Sequence, residues 1–102
     1  MNQVLLSVQI VERAVMRYTP AGLPALDVRL AHASRLEHAG SGRQVDFEIH
    51  ATAIGDVALE LERLSVGTAI QVAGFLGKQR SGRGVMLHIT KLDLLPNVPD
   101  PI

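Results

Sequence analysis

Lysine and arginine gather at three places where glycine or proline also interrupts the chain. Lys78, Arg80 and Arg83 stand between Gly77 and Gly84. Arg13, Arg17 and Tyr18 precede the turn at residues 19–24, and Arg35, His38 and Arg43 surround Gly40-Ser41-Gly42. Cations on low-profile loops suit neutralisation of backbone phosphates, which releases counterions and makes binding weaken steeply with salt. Flat side chains on which bases stack are the second requirement for holding a single strand. Tyr18, Phe47 and Phe75 are the only aromatic residues, so arginine planes must share that task. Phe47 alternates with apolar neighbours and reads as core as readily as platform. Phe75 falls on the polar phase of its segment, which suits a stacking platform or a contact with a second copy.

Catalytic chemistry finds little support. His32, His38, His50 and His88 lack metal-ligand spacing, and the chain has no cysteine to complete a zinc site. Gly77, Gly82 and Gly84 lie between two strand-like segments, not between a strand and a helix, so they form no phosphate cradle. Asp46 and Glu48 share one strand face, where paired acids are ordinarily solvated. The expectation is a binding protein without catalytic residues, metal or cofactor.

The elements that must position these side chains are strands. Val4, Leu6, Val8 and Ile10 alternate with polar neighbours, as do Leu26, Val28 and Leu30 in a second run. A third run sets Val45, Phe47, Ile49 and Ala51 against Asp46, Glu48, His50 and Thr52, and a fourth sets Ile70, Val72, Gly74 and Leu76 against Gln71, Ala73 and Phe75. The fifth begins with Val85, Leu87 and Ile89 inward and then shifts to Leu92 and Leu94, which one extra residue in a bulge would produce. Period two marks strands with one buried face. Between the third and fourth runs, Val57, Leu61 and Leu64 follow helical spacing, with Asp56 as N-cap and Gly67 just past the end. An irregular connector whose leucines plug the barrel floor is the alternative there.

Five strands with a helical connector between the third and fourth is the order of an all-β OB-fold, a five-stranded Greek-key barrel. An SH3-like barrel has no apolar helical segment at that point. In an OB-fold the loops joining strands one to two and four to five flank the ligand, which is where two of the cationic groups fall. One domain is expected over residues 1–96, with a flexible Pro-rich tail at 97–102.

Ten basic residues balance ten acids, which taken alone argues against nucleic acid as a partner. Their order reverses that reading. Asp46 to Glu62 holds five acids and no Lys or Arg, whereas Lys78 to Lys91 holds four bases and no acid. Segregated signs present a basic face despite a neutral sum. No apolar run is long enough for a membrane span, no signal-peptide layout appears, and the absence of cysteine fits a reducing compartment, so a cytoplasmic location is expected.

Several segments resemble the primosomal replication protein N family, which is related to bacterial single-stranded DNA-binding proteins. They are Asn2-Gln3-Val4-Leu5-Leu6-Ser7, Arg13-Ala14, Pro20-Ala21-Gly22-Leu23-Pro24 and Leu30-Ala31-His32, then Ala39-Gly40, Arg43-Gln44, Val66-Gly67, Ile70 to Leu76 and Val85-Met86-Leu87-His88. The resemblance implies a homodimer of OB-folds that binds single-stranded DNA and joins the restart helicase and other primosome proteins at stalled forks. It places DNA-contacting cations at Arg17, Arg43 and Arg80. Ser41 and Asp46 stand where better-known members carry aromatic residues, Ala33 replaces a base, and the basic hairpin is shorter.

The expected function is a single-stranded DNA-binding accessory of the restart primosome, holding DNA through Arg17, Tyr18, Arg35, Arg43, Phe47, Lys78, Arg80 and Arg83 and stimulating or bridging the helicase. The departures imply weaker DNA binding than in relatives and a larger share for helicase contact. A general single-stranded DNA-binding protein, or an OB-fold adaptor with protein partners only, is the alternative.

Overall fold

A computed structural model describes residues 1–95. The five runs become β1 (Val4–Arg13), β3 (Pro24–His38), β4 (Ser41–Ile54), β5 (Ala69–Lys78) and β6 (Val85–Leu94), joined by a two-residue β2 (Arg17–Tyr18) and one helix, α1 (Asp56–Glu62). The strands run β1-β5-β6-β4-β3-β2, and β1 also pairs with β3, which closes the barrel. The β4–β6 pairing is parallel and the others are antiparallel. The expected tail at 97–102 lies outside the described residues.

The inward phases meet as read from the alternation. Val8, Ile10, Leu26, Val28, Leu30, Ile70, Val72, Leu87 and Ile89 form one core, and Ala58 and Leu61 of α1 close its end. Ile10, Leu26, Leu30, Leu61, Ile70 and Leu87 are among the largest side chains that are fully buried.

The bulge falls where the phase shift placed it. Ala73 pairs with Lys91 and Gly74 with Ile89, leaving Thr90 without a partner and turning the following residues over. A Cβ at Gly74 would overlap the His88 carbonyl, so this close approach of two backbones requires glycine.

Several local expectations are corrected. Gly55, at φ 84, occupies the N-cap of α1 and Asp56 is the first helical residue, because the chain leaves β4 through a left-handed turn that favours glycine. Gly67 does not end the helix; α1 stops at Glu62, and the Gly67 amide donates to the Ile10 carbonyl. Val85 and Leu94, expected inside, are exposed at the ends of β6, where neighbouring elements no longer cover them. Val45 is not core either, and of the two readings of Phe47 the core one falls, since the ring is exposed. The β1–β3 pairing ends at Gln9–Ala31, so beyond it β3 and β4 continue as a two-stranded arm with no third strand. That arm turns at Ala39-Gly40, both at positive φ, which places Arg35, His38 and Arg43 on strands and not in a loop.

Candidate nucleic-acid interface

The outward phase of β3 begins with Asp27, opposite Thr52 of β4; Thr52 is opposite His88 of β6, and His88 opposite Phe75 of β5. Four strands thus contribute one lateral row on the outside of the barrel. Cations reach its Asp27 end from both flanking loops. Arg17 grips the carboxylate with two bonds, Nε to Oδ2 at 3.1 Å and Nη2 to Oδ1 at 3.2 Å. Arg80 approaches from the other side, Nη2 to Oδ2 at 2.7 Å. Beside Arg80 opens a cleft of about 330 Å³ lined by Asp27, His50, Gln79, Arg80 and Met86.

Local chemistry holds both loops in reach. The first is a tight turn in which Leu23 donates its amide to Thr19 Oγ1 and Thr19 donates its own amide to the Leu23 carbonyl. The second closes through Gln79, whose amide donates to the Gly84 carbonyl and whose side chain donates to the Val85 carbonyl. Partial burial pushes the Asp27 carboxyl upward, but hydrogen bonds from Arg17 and Arg80 outweigh it and hold its pKa at about 2. Thr52 lies opposite on β4, but its buried hydroxyl makes no hydrogen bond among the described residues.

At the other end of the row, Phe75 and His88 stack with ring centres 4.8 Å apart and planes 3° apart. Gly77 makes room for them, since a Cβ there would sit 2.7 Å from His88 Nε2. Phe75 remains 41% exposed beside a second cleft of about 390 Å³ that includes Thr52, Ile54, Val57 and Thr90. A flat ring held rigidly on a sheet face offers stacking area with little ordering cost.

The remaining expected residues divide. Tyr18 follows Arg17 in β2 and is exposed. Lys78 ends β5, and Arg83 lies in the loop beyond it. Strand alternation puts Arg35 on the same phase as Asp27, with its guanidinium over Gly42, whereas Arg43 and Phe47 occupy the opposite phase. Phe47 tilts against His32 with ring centres 5.1 Å apart, in a separate cleft lined by Ser7, Gln9 and Asp46. His32 Nδ1 lies 2.7 Å from the Ser7 carbonyl and Nε2 2.9 Å from Ser34 Oγ. A carbonyl only accepts, so Nδ1 carries the proton. The structure therefore brings Arg17 and Arg80 together and leaves Phe47 and Arg43 on another face.

Two cations have other partners. Arg13 donates through Nη1 to the carbonyls of Glu62 and Leu64 at the end of α1, a favourable place for positive charge. Arg29 pairs with Glu12 at 3.0 Å and with Glu48 at 3.4 Å. Asp27 carried no sequence motif, and its only signal was membership of the polar phase in run two. His88 stood in one of the segments that carry the family resemblance but had no role assigned, and the register that unites the two was needed to see the row.

Residues 2–91 match a family described as another single-strand binding protein family. The chain is 46% identical over 90 residues to the replication restart protein PriB of Bordetella pertussis, covering 87% of this chain and 84% of that one. It is 37% identical over 89 residues to the PriB of Nitrosomonas europaea, covering 86% and 82%. Among solved structures, PriB from Ralstonia solanacearum matches with a TM-score of 0.84 at 36% identity, covering 93% of this chain and 99% of that one. The single-stranded DNA-binding protein of Thermus aquaticus matches with a TM-score of 0.74 at 30% identity, covering 95% of this chain and 51% of that one. The closed barrel with its single helix is thus an OB-fold of the single-stranded DNA-binding type, and the chain belongs to the replication restart protein PriB family.

Proposed function

We propose that this chain binds single-stranded DNA across the outer barrel face, between the loop carrying Arg17 and Tyr18 and the loop carrying Arg80 and Arg83. Phosphates engage the loop cations and a base rests on Phe75. The observation that carries this reading is the convergence of Arg17 and Arg80, from two loops, at the end of a row that finishes in a stacked aromatic pair. Arg35 extends the positive path on the same phase as Asp27 and Lys78 stands at the end of β5 on the phase opposite Phe75, while Arg43 and Phe47 serve a strand that wraps to the other face of the arm. The family's members are binding proteins and not enzymes, and the present fold offers the same role.

In this reading the protein works in the cytoplasm as an accessory of the restart primosome, bridging DNA to the restart helicase. Among the described residues no helix is long and apolar enough to cross a membrane. A homodimer is supported by β1, whose Val4–Val8 segment pairs with β5 on one side only, since β3 departs beyond Ala31. Leu5 is exposed on that segment, and a second β1 would cover it.

Fluorescence polarisation of labelled oligo-dT at several salt concentrations tests the DNA reading. Binding at low salt is expected, with a linear fall of log affinity against log salt. Changing Arg80→Ala and Arg83→Ala together weakens it; absence of binding at low salt overturns the proposal. Light scattering tests the dimer, and a monomer at micromolar concentration would refute it.

A further inference from the structure

Asp27 is an acid at the centre of a surface otherwise suited to an anion. Its two oxygens accept three bonds from two guanidinium groups, the arrangement that the two free oxygens of a phosphodiester would also satisfy. Arg17 lies ten residues before it in sequence and Arg80 lies 53 residues after, so the convergence arises from the fold and not from local chain geometry. Two arginines against one carboxylate leave the spot with one surplus positive charge. The nearby Arg29 adds none, because Glu12 and Glu48 accompany it.

We propose that Asp27 is an internal competitor for backbone phosphate, which single-stranded DNA displaces from Arg80 but not from Arg17. This rests on the DNA-binding reading above and specifies which cation changes partner. The two contacts differ in the required sense. Arg17 is bidentate and 37% exposed, whereas Arg80 makes one bond and is 60% exposed at the tip of a loop. An exposed single ion pair is screened by solvent and weak, so a phosphate that also releases counterions can replace it. The bidentate pair stays and keeps β2 against β3. The cost of drawing Arg80 away from the carboxylate then sets an upper limit on affinity.

The test is a double-mutant cycle of Asp27→Asn and Arg80→Ala, read as oligo-dT affinity over a range of salt. Asp27→Asn alone is expected to bind about 3- to 10-fold more tightly. Its log–log salt slope should stay close to that of wild type, because Arg80 reaches the phosphate in both proteins and only the competition is removed. In the Arg80→Ala background the same change should give less than about twofold, because the competed cation is gone. Equal gains in both backgrounds would mean simple charge repulsion and would overturn the proposal; so would weaker binding by Asp27→Asn, which would make the acid a positioning group. If wild-type protein binds no oligo-dT, the DNA-binding reading fails and takes this one with it. Wild-type binding without the gain overturns this one alone. Guanidinium NMR on the unmodified protein is independent of how the variants fold. Arg80 signals should move on adding oligo-dT while those of Arg17 stay, and a stationary Arg80 would refute the exchange.

Discussion

Phe75 and His88 lie opposite each other on adjacent strands and stack almost in parallel, with 4.8 Å between ring centres. The pair exists because position 77, two residues along the same strand face, has no side chain. Gly77→Ala would place a methyl group 2.7 Å from the imidazole and force the ring aside. The expected result is a loss of about 1–2 kcal/mol in chemical denaturation. The ring-current shift of the His88 protons should disappear with it, and oligo-dT affinity should fall as Phe75 loses its support.

Asp27 gives a pH dependence whose direction is fixed by its depressed pKa. The carboxyl is held at about 2, against an ordinary 3.8. Stabilisation from its ionised form is therefore complete above the ordinary value and is lost as pH falls through about 2. After discounting for the exposure of its partners, the difference between wild type and Asp27→Asn should shrink by about 1–2 kcal/mol between about pH 4 and pH 2. A difference in denaturation free energy that stays constant over that range would contradict the assignment.

Arg13 separates a structural cation from the binding ones. Its guanidinium joins the end of β1 to the last carbonyl of α1, Glu62, and to the Leu64 carbonyl just past it. Arg13→Ala should cost about 1–2 kcal/mol of stability. Its oligo-dT affinity should match wild type at every salt concentration. A weakened affinity would assign Arg13 to the interface.

Leu61 is fully buried where α1 closes the barrel. Leu61→Ala should lower stability by about 2–5 kcal/mol, read from the denaturation midpoint. Leu59, exposed on the same helix, is the control, and Leu59→Ala should change stability by less than about 0.5 kcal/mol.

The barrel was legible in the sequence because burial on one face imposes period two, and four of the five runs carried it cleanly. The bulge was legible too, since an extra residue at Thr90 inverts every later side chain. Val45 and Phe47 kept the alternation without the burial. Periodicity records which face a side chain takes, and not whether a third strand stands behind it. The cationic loops were legible as clusters, but the destination of each cation was not. Arg13, Arg17 and Arg29 resemble one another in sequence, yet they end on backbone carbonyls, on Asp27 and on two glutamates. Those outcomes depend on strand register and helix placement, which join residues tens of positions apart.

The arm formed by β3 and β4 beyond the barrel is a cantilever. Its root is fixed in a core that opens only with the whole molecule, but its outer half has one ladder of hydrogen bonds and no buried layer. Amide hydrogens from Ser34 to Val45 should therefore exchange by local opening, orders of magnitude faster than those of Leu26 to Leu30 on the same strand. A ligand laid along both would meet a rigid surface at the barrel and a compliant one at the arm.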